Sequence, residues 1–255
     1  MKILQVCAVD FTLYRFLMPL IHGLSQRDHD VVSVCADGPF VEKARAEGLR
    51  VETVPFSRSL GALWQHLRAY RTLVVLLQKE KVDIIHVHTP VAAAVGRLAA
   101  RRMKVSKVVY TAHGFYFHED MWAVQRFVYI GIEWLLGRFT DVLFTQSKED
   151  EEIAKRFGLC RTGKIKAIGN GVSSNIFHPP INISGKDEKR KSVGTDEHAC
   201  VIIIVARLVA EKGYRELFAA MEHLDAELWV VGERLASDHA KGIALEMERI
   251  LNNPV

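Results

Sequence analysis

Short apolar runs rich in β-branched residues alternate with helix-length amphipathic segments along this chain, and that alternation restricts the fold more than any other feature. Strands are predicted at Lys2–Val9, Asp30–Ala36, Arg50–Val54, Asp83–His88, Lys107–Thr111, Asp141–Thr145 and Lys164–Ile168. Helices are predicted at Leu13–Gln26, Val41–Glu47, Leu60–Lys79 and Met121–Arg138, the aromatic stripe of the last being expected in the core. Strands buried on both faces read as continuous apolar runs. Alternated with helices, they imply an α/β architecture with a parallel, doubly wound sheet.

The stretch from Gly169 to Pro180 is turn-rich, and residues 181–198 are polar and charged. A domain boundary is expected there. The expected layout is a complete Rossmann-like domain at 1–178, a polar linker at 179–198 and the start of a second Rossmann-like domain at 199–255. Its elements are a strand at Cys200–Ala206, a helix at Glu211–His223, a strand at Ala226–Val231 and a helix at Ser237–Leu251. Two strands and two helices do not close a doubly wound domain, so the second domain is expected to be incomplete.

The most informative single stretch is Val108-Val109-Tyr110-Thr111-Ala112-His113-Gly114-Phe115-Tyr116-Phe117. It starts as a buried strand and ends in a histidine, a glycine and aromatics. Ligands of open α/β sheets sit beyond the carboxyl ends of the strands. A histidine there exchanges a proton or hydrogen-bonds a sugar hydroxyl, and Gly114 lets the backbone turn and a ligand approach. The competing reading is a histidine that only caps its strand.

Composition narrows the classes. The formal net charge is +4, but residues 1–178 carry 24 Lys and Arg against 17 Asp and Glu, whereas the remainder is net acidic. A basic front half suits an anionic partner, phosphate groups or a membrane surface, and no nucleic-acid-binding motif is visible. Cys7, Cys35, Cys160 and Cys200 are scattered without metal-ligand spacing, which suggests reduced thiols in a cytoplasmic protein. No signal peptide or membrane span is expected.

Arg207 and Lys212 flank a strand-to-helix turn in Val205-Ala206-Arg207-Leu208-Val209-Ala210-Glu211-Lys212-Gly213. Two cations at a helix N-terminus suit a diphosphate, although a solvated basic pair fits the spacing equally well. There is no GxGxxG after the first strand and no GxxxxGK[ST]. His86 and His88 alternate on one strand and so share a face. No third ligand has suitable spacing, and no metal is expected.

These segments together resemble the family 4 glycosyltransferases of GT-B type, in particular bacterial enzymes of capsule, exopolysaccharide and lipid-linked glycan synthesis. The resemblance rests on Ile85-His86-Val87-His88-Thr89-Pro90, Tyr110-Thr111-Ala112-His113-Gly114-Phe115, Asp141–Thr145 with Ser147, Gly169-Asn170-Gly171-Val172 with Phe177-His178-Pro179, and Arg207-Leu208 with Glu211-Lys212-Gly213.

The resemblance implies a retaining transfer from a nucleotide sugar, a UDP-sugar, without cofactor or metal. It places His113 at the donor sugar and Arg207 and Lys212 on the diphosphate. The loop Val9-Asp10-Phe11-Thr12 departs from the family's glycine-rich form, and Asp10 with Gly114 would border acceptor and donor. A lipid-linked saccharide acceptor is implied, reached from the cytoplasmic face. The residues themselves offer a basic surface of Arg68, Arg71, Arg97, Arg101, Arg102 and Lys104, which fits contact with anionic lipid and fits a simply solvated face equally well. The family's two glutamates separated by seven residues are not found, so a C-terminal truncation is expected. Alternatives are an inactive fragment that at most binds acceptor, and a nucleotide-sugar epimerase of the same fold.

Overall fold

A computed structural model describes residues 1–57, 62–119, 121–179 and 184–233. The chain divides into two compact units, Met1–Gly171 and Val172–Val255. The first unit is built on a seven-stranded sheet of order β3-β2-β1-β4-β5-β6-β7. Its strands are β1 (Lys2–Val6), β2 (Asp30–Cys35), β3 (Arg50–Thr53), β4 (Ile84–His88), β5 (Lys107–Ala112), β6 (Val142–Thr145) and β7 (Ile165–Ala167), all paired in parallel.

From β1 the chain winds outward through β2 to β3, then returns to β4 and winds the other way. The switch point therefore lies between β1 and β4, where α/β sheets open a crevice beyond the strand ends. Leu4, Val6, Ile85, Val87, Val108 and Tyr110 are buried at the centre of the sheet.

The first crossover is helical from Asp10 to Ser25 but not uniformly so. It runs as α1 (Asp10–Thr12), a π-helical segment (Leu13–Leu17) and α2 (Met18–Ser25). Pro19 explains the widening. A helical proline has no N–H, and its ring clashes with the carbonyl four residues back, here that of Arg15. The remaining helices of this unit are α3 (Pro39–Ala46), α4 (Leu63–Glu80), α5 (Pro90–Met103), α6 (Ala123–Gly137) and α7 (Lys148–Phe157). Ser147 caps α7, its Oγ accepting from the Asp150 N–H at 3.0 Å.

Helix α6 corrects a sequence expectation. Most of the aromatic stripe does not fill the core: Trp122, the N-cap, is 78% exposed and Phe127 69% exposed, whereas Tyr129 packs against the core. The buried stripe is instead Ile130, Glu133, Leu136 and Gly137. A helix apolar on nearly every side does not reveal from periodicity which stripe faces the sheet.

Arg97, expected on a basic surface, is corrected as well. It is fully buried on α5, its Nη2 donates to Glu133 Oε2 at 2.9 Å, and its guanidinium lies 4.4 Å from the Tyr110 ring centre. Arg68, Arg71, Arg101, Arg102 and Lys104 are exposed.

The second unit contains α8 (Ser184–Ser192), β8 (Val201–Val205), a 3₁₀ turn (Ala210–Lys212), α9 (Tyr214–Met221) and β9 (Glu227–Val231). Strands β8 and β9 pair in parallel with α9 between them, a βαβ unit. Helix α8 lies in the stretch expected to be linker. Arg190 ties its end to the approach to β8, donating to the carbonyls of Asp196 at 2.7 Å and Ala199 at 3.0 Å. The helix predicted at Ser237–Leu251 lies outside the described residues. No described helix is long and apolar enough to cross a membrane.

Candidate active site

The parallel register brings polar side chains from distant parts of the sequence to the carboxyl end of the sheet. Gln5 on β1 pairs with His86 on β4, and His88 pairs with Thr111 on β5. Alternation puts His86 and His88 on the same face, with ring centres 4.2 Å apart. His113 follows the last residue of β5, and Gln146 follows the last residue of β6.

These groups form a continuous hydrogen-bonded chain. Gln146 Nε2 stands 2.7 Å from His113 Nδ1, His113 Nε2 stands 3.1 Å from His88 Nδ1, and His88 Nε2 stands 2.9 Å from Gln5 Oε1. His86 makes a separate hydrogen bond, its Nε2 2.7 Å from Thr111 Oγ1. The ring nitrogens face one another and neighbouring side chains rather than converging on one point. Among the described residues no group of three or more His, Cys, Asp or Glu is arranged to hold a metal ion.

Burial keeps the imidazoles neutral. It pushes His86 down to about 3, with the neighbouring His113 adding to the effect. It holds His88 well below the ordinary histidine range, helped by His86 and His113, and it lowers His113 as well. A neutral imidazole offers one donor and one acceptor, so the chain handles hydrogen bonds at neutral pH without a fixed positive charge.

Backbone geometry around the crevice is specialised. Gly114 has φ +106°, a conformation open to glycine and strained for other residues, so the chain turns away directly after His113. Thr89, between β4 and α5, holds φ +62° although it is β-branched. Its Oγ1 accepts from the Ala8 N–H at 3.1 Å, which joins the ends of β1 and β4 at the switch point. Strain held in place at such a point marks candidate functional geometry.

Asp10 begins α1 and is buried. Its Oδ2 accepts from the Phe40 N–H at 2.9 Å in the first turn of α3, and its carboxylate occupies the space a side chain at Gly38 would need. In the second unit, Arg207 and Lys212 are both exposed, Arg207 just after β8 and Lys212 closing the 3₁₀ turn before Gly213, the N-cap of α9. Gly213 has φ +71°. Tyr214 Oη donates to the Ala206 carbonyl at 3.0 Å, anchoring α9 against this turn. His113, Gly114 and Asp10 thus belong to the first unit, and the two cations to the second.

Residues 15–175 match the family description Glycosyltransferase Family 4, most of the chain. The chain belongs to glycosyltransferase family 4.

Proteins similar to this chain include EpsD of Bacillus subtilis, which bears the name of a glycosyltransferase. The two are 32% identical over 227 residues, covering 86% of this chain and 56% of EpsD. The UDP-Gal:alpha-D-GlcNAc-diphosphoundecaprenol alpha-1,3-galactosyltransferase of Escherichia coli is 30% identical over 207 residues, 77% of this chain and 53% of the relative. The chain spans about half the length of these curated relatives. Among solved structures, Anabaena HepE in complex with UDP and glucose superposes with a TM-score of 0.72 at 20% identity, over 99% of this chain and 66% of HepE. The family 4 chain described here has the α/β, GT-B-like fold.

Gln5 and Gln146 are not among the candidate site residues marked by the sequence, and Thr89 is marked only as part of the Ile85–Pro90 segment. Gln5 and Gln146 carry no motif of their own; only strand register reveals them. Thr89-Pro90 does announce a helix start, but not the positive φ that precedes it.

Proposed function

We propose that this chain contributes to an enzyme that transfers a sugar from a UDP-sugar to a lipid-linked saccharide in cell-surface polysaccharide synthesis, with retention of configuration. The observation that carries this reading is the match to family 4 across the unit whose sheet ends in the His113 chain. The diphosphoundecaprenol-linked substrate in the name of the Escherichia coli relative favours a lipid-linked acceptor. The UDP in that name and in the HepE complex favours a UDP donor.

In this reading His113 meets the donor sugar, with Gly114 giving the ligand room, and Asp10 shapes the adjoining loop. Arg207 and Lys212 hold the diphosphate. The bond from the sugar's anomeric carbon to the UDP oxygen breaks, and the acceptor hydroxyl oxygen bonds to the same carbon from the same face. The acceptor's proton passes to the departing diphosphate. Negative charge grows on UDP as the bond stretches, and the two cations stabilise it. No protein nucleophile and no metal take part.

A working position at a lipid surface is supported by the exposed side of α6. Val124, Phe127, Val128, Ile132 and Leu135 repeat there at helical spacing, and all are exposed. Arg138 lies 4.1 Å from the Trp134 ring centre, and the exposed Arg101 and Arg102 close α5 nearby. An apolar face bordered by cations suits the boundary of an anionic, cytoplasmic leaflet.

Calorimetric titration with UDP and UDP-glucose tests the donor reading. Binding abolished by the Arg207→Ala, Lys212→Ala double substitution supports it. A folded chain that binds neither nucleotide, or whose binding is indifferent to the double substitution, overturns it.

A further inference from the structure

The hydrogen-bonded chain through His113 has a direction. Gln5 presents its carbonyl oxygen to His88 Nε2, so that nitrogen carries the proton. His88 Nδ1 is then bare and accepts from His113 Nε2–H. That leaves His113 Nδ1 bare, and the Gln146 amide, at the other end, turns its N–H₂ toward it. The two amides, on different strands, agree on one direction. The opposite direction would give the partnerless Gln5 Nε2 a bond to His88 Nε2 and make His113 Nδ1 a donor, so the two directions predict opposite tautomers for both rings.

Both ring nitrogens of His113 are therefore occupied by the protein. The two neighbours are not equally replaceable. His88 and Gln5 are at most 1% exposed inside the sheet, whereas Gln146 is partly exposed at its edge. A ligand gains His113 by replacing Gln146, not His88.

We propose that Gln5 and His88 are positioning residues that hold His113 as its Nε2–H tautomer, so that Nδ1 is the ligand-facing atom and acts as an acceptor. The group that replaces Gln146 must then be a hydrogen-bond donor. A sugar hydroxyl or the N–H of an acetamido group qualifies; a phosphate or carboxylate oxygen does not. This rests on the reading that His113 lies at the donor sugar, and it sharpens that reading. The histidine recognises the sugar's own donors, and the diphosphate must be held elsewhere.

Long-range proton–nitrogen correlation spectra of the full chain, with nitrogen-15 in its histidines, read the tautomers directly. At neutral pH His113 and His88 should each show a protonated Nε2 and an unprotonated Nδ1, without averaging. Gln146→Ala should leave this pattern intact. Gln5→Leu should collapse it into averaged shifts for both rings. A protonated His113 Nδ1, or averaged shifts in the unsubstituted protein, overturns the proposal before any ligand is added. Adding UDP-glucose should then perturb the Gln146 side-chain amide while His113 Nδ1 stays unprotonated. Bound UDP-glucose with Nδ1 protonated also overturns the proposal. Failure of UDP-glucose to bind, with the apo tautomers as stated, counts against the donor-site reading and leaves the positioning role standing.

Discussion

Arg97 and Glu133 form an ion pair between α5 and α6, 2.9 Å from Nη2 to Oε2, with the arginine side chain fully buried and the glutamate side chain 9% exposed. Arg97 also donates from Nε to the Ala93 carbonyl at 3.0 Å. Removing one partner strands the other charge in the interior, so Glu133→Leu alone is expected to destabilise the first unit by about 3–5 kcal/mol. The double substitution Arg97→Met, Glu133→Leu should recover most of that loss. Urea unfolding of the two variants, followed by tryptophan fluorescence, checks both statements.

The buried histidines set the acid limit of stability. His86 titrates at about 3 in the folded chain against 6.5 in an unfolded one. Between those values the unfolded chain binds a proton that the folded chain excludes. Stability therefore falls as pH drops below about 6.5, by roughly 1.4 kcal/mol per pH unit for each histidine held neutral. Glu80, held below its ordinary value of 4.5 by the Lys2 ammonium and then by Arg50, adds its own loss only at lower pH. Urea midpoints between pH 6.5 and 4.5 should accordingly slope downward, and His86→Gln should flatten the slope.

Two glycines on α6 should respond in opposite directions to the same substitution. Gly131 is exposed with nothing near its missing Cβ, so Gly131→Ala should stabilise the protein by about 0.4–1 kcal/mol. A Cβ on Gly137 would run into the backbone carbonyl of Leu159. Gly137→Ala should cost about 1–3 kcal/mol through overpacking. Thermal unfolding midpoints of the pair, compared side by side, give the signs.

Asp10 satisfies an otherwise open N–H in the first turn of α3, in the manner of an N-cap supplied from elsewhere in the chain. Asp10→Ala should lower stability by about 1 kcal/mol. Asp10→Asn, which keeps an acceptor oxygen, should lose less. Denaturant midpoints separate the two, and equal losses would mean that the carboxylate's charge is what matters.

Much of the fold was legible because buried parallel strands announce themselves as apolar runs. Lys107–Ala112 stands within one residue of its expected end, and His113 follows it directly. The shared face of His86 and His88 follows from strand alternation alone. The partners of those histidines were not legible. Gln5 lies 83 residues from His88, and only the parallel register of β1 with β4 joins them. Nor was the orientation of α6. Phe127, Tyr129 and Trp134 suggested a core stripe; of these Tyr129 packs against the core while Phe127 and Trp134 are exposed, and Glu133 faces inward to Arg97. A glutamate in an apolar helix signals burial only when its partner is known.

The π-helical segment beside Pro19 also preserves rotational phase. With about 4.4 residues per turn, it stacks Leu13 over Leu17 so that both are buried, with Ile21 continuing the row in α2. Five residues of the wide turn and four of an ordinary α-helix span nearly the same rotation, so deleting a single residue between Leu13 and Leu17 would restore ordinary winding and leave the flanking segments in phase. The wide turn absorbs one residue without loss of phase, letting one helical crossover serve the mouth of the crevice at one end and the core at the other.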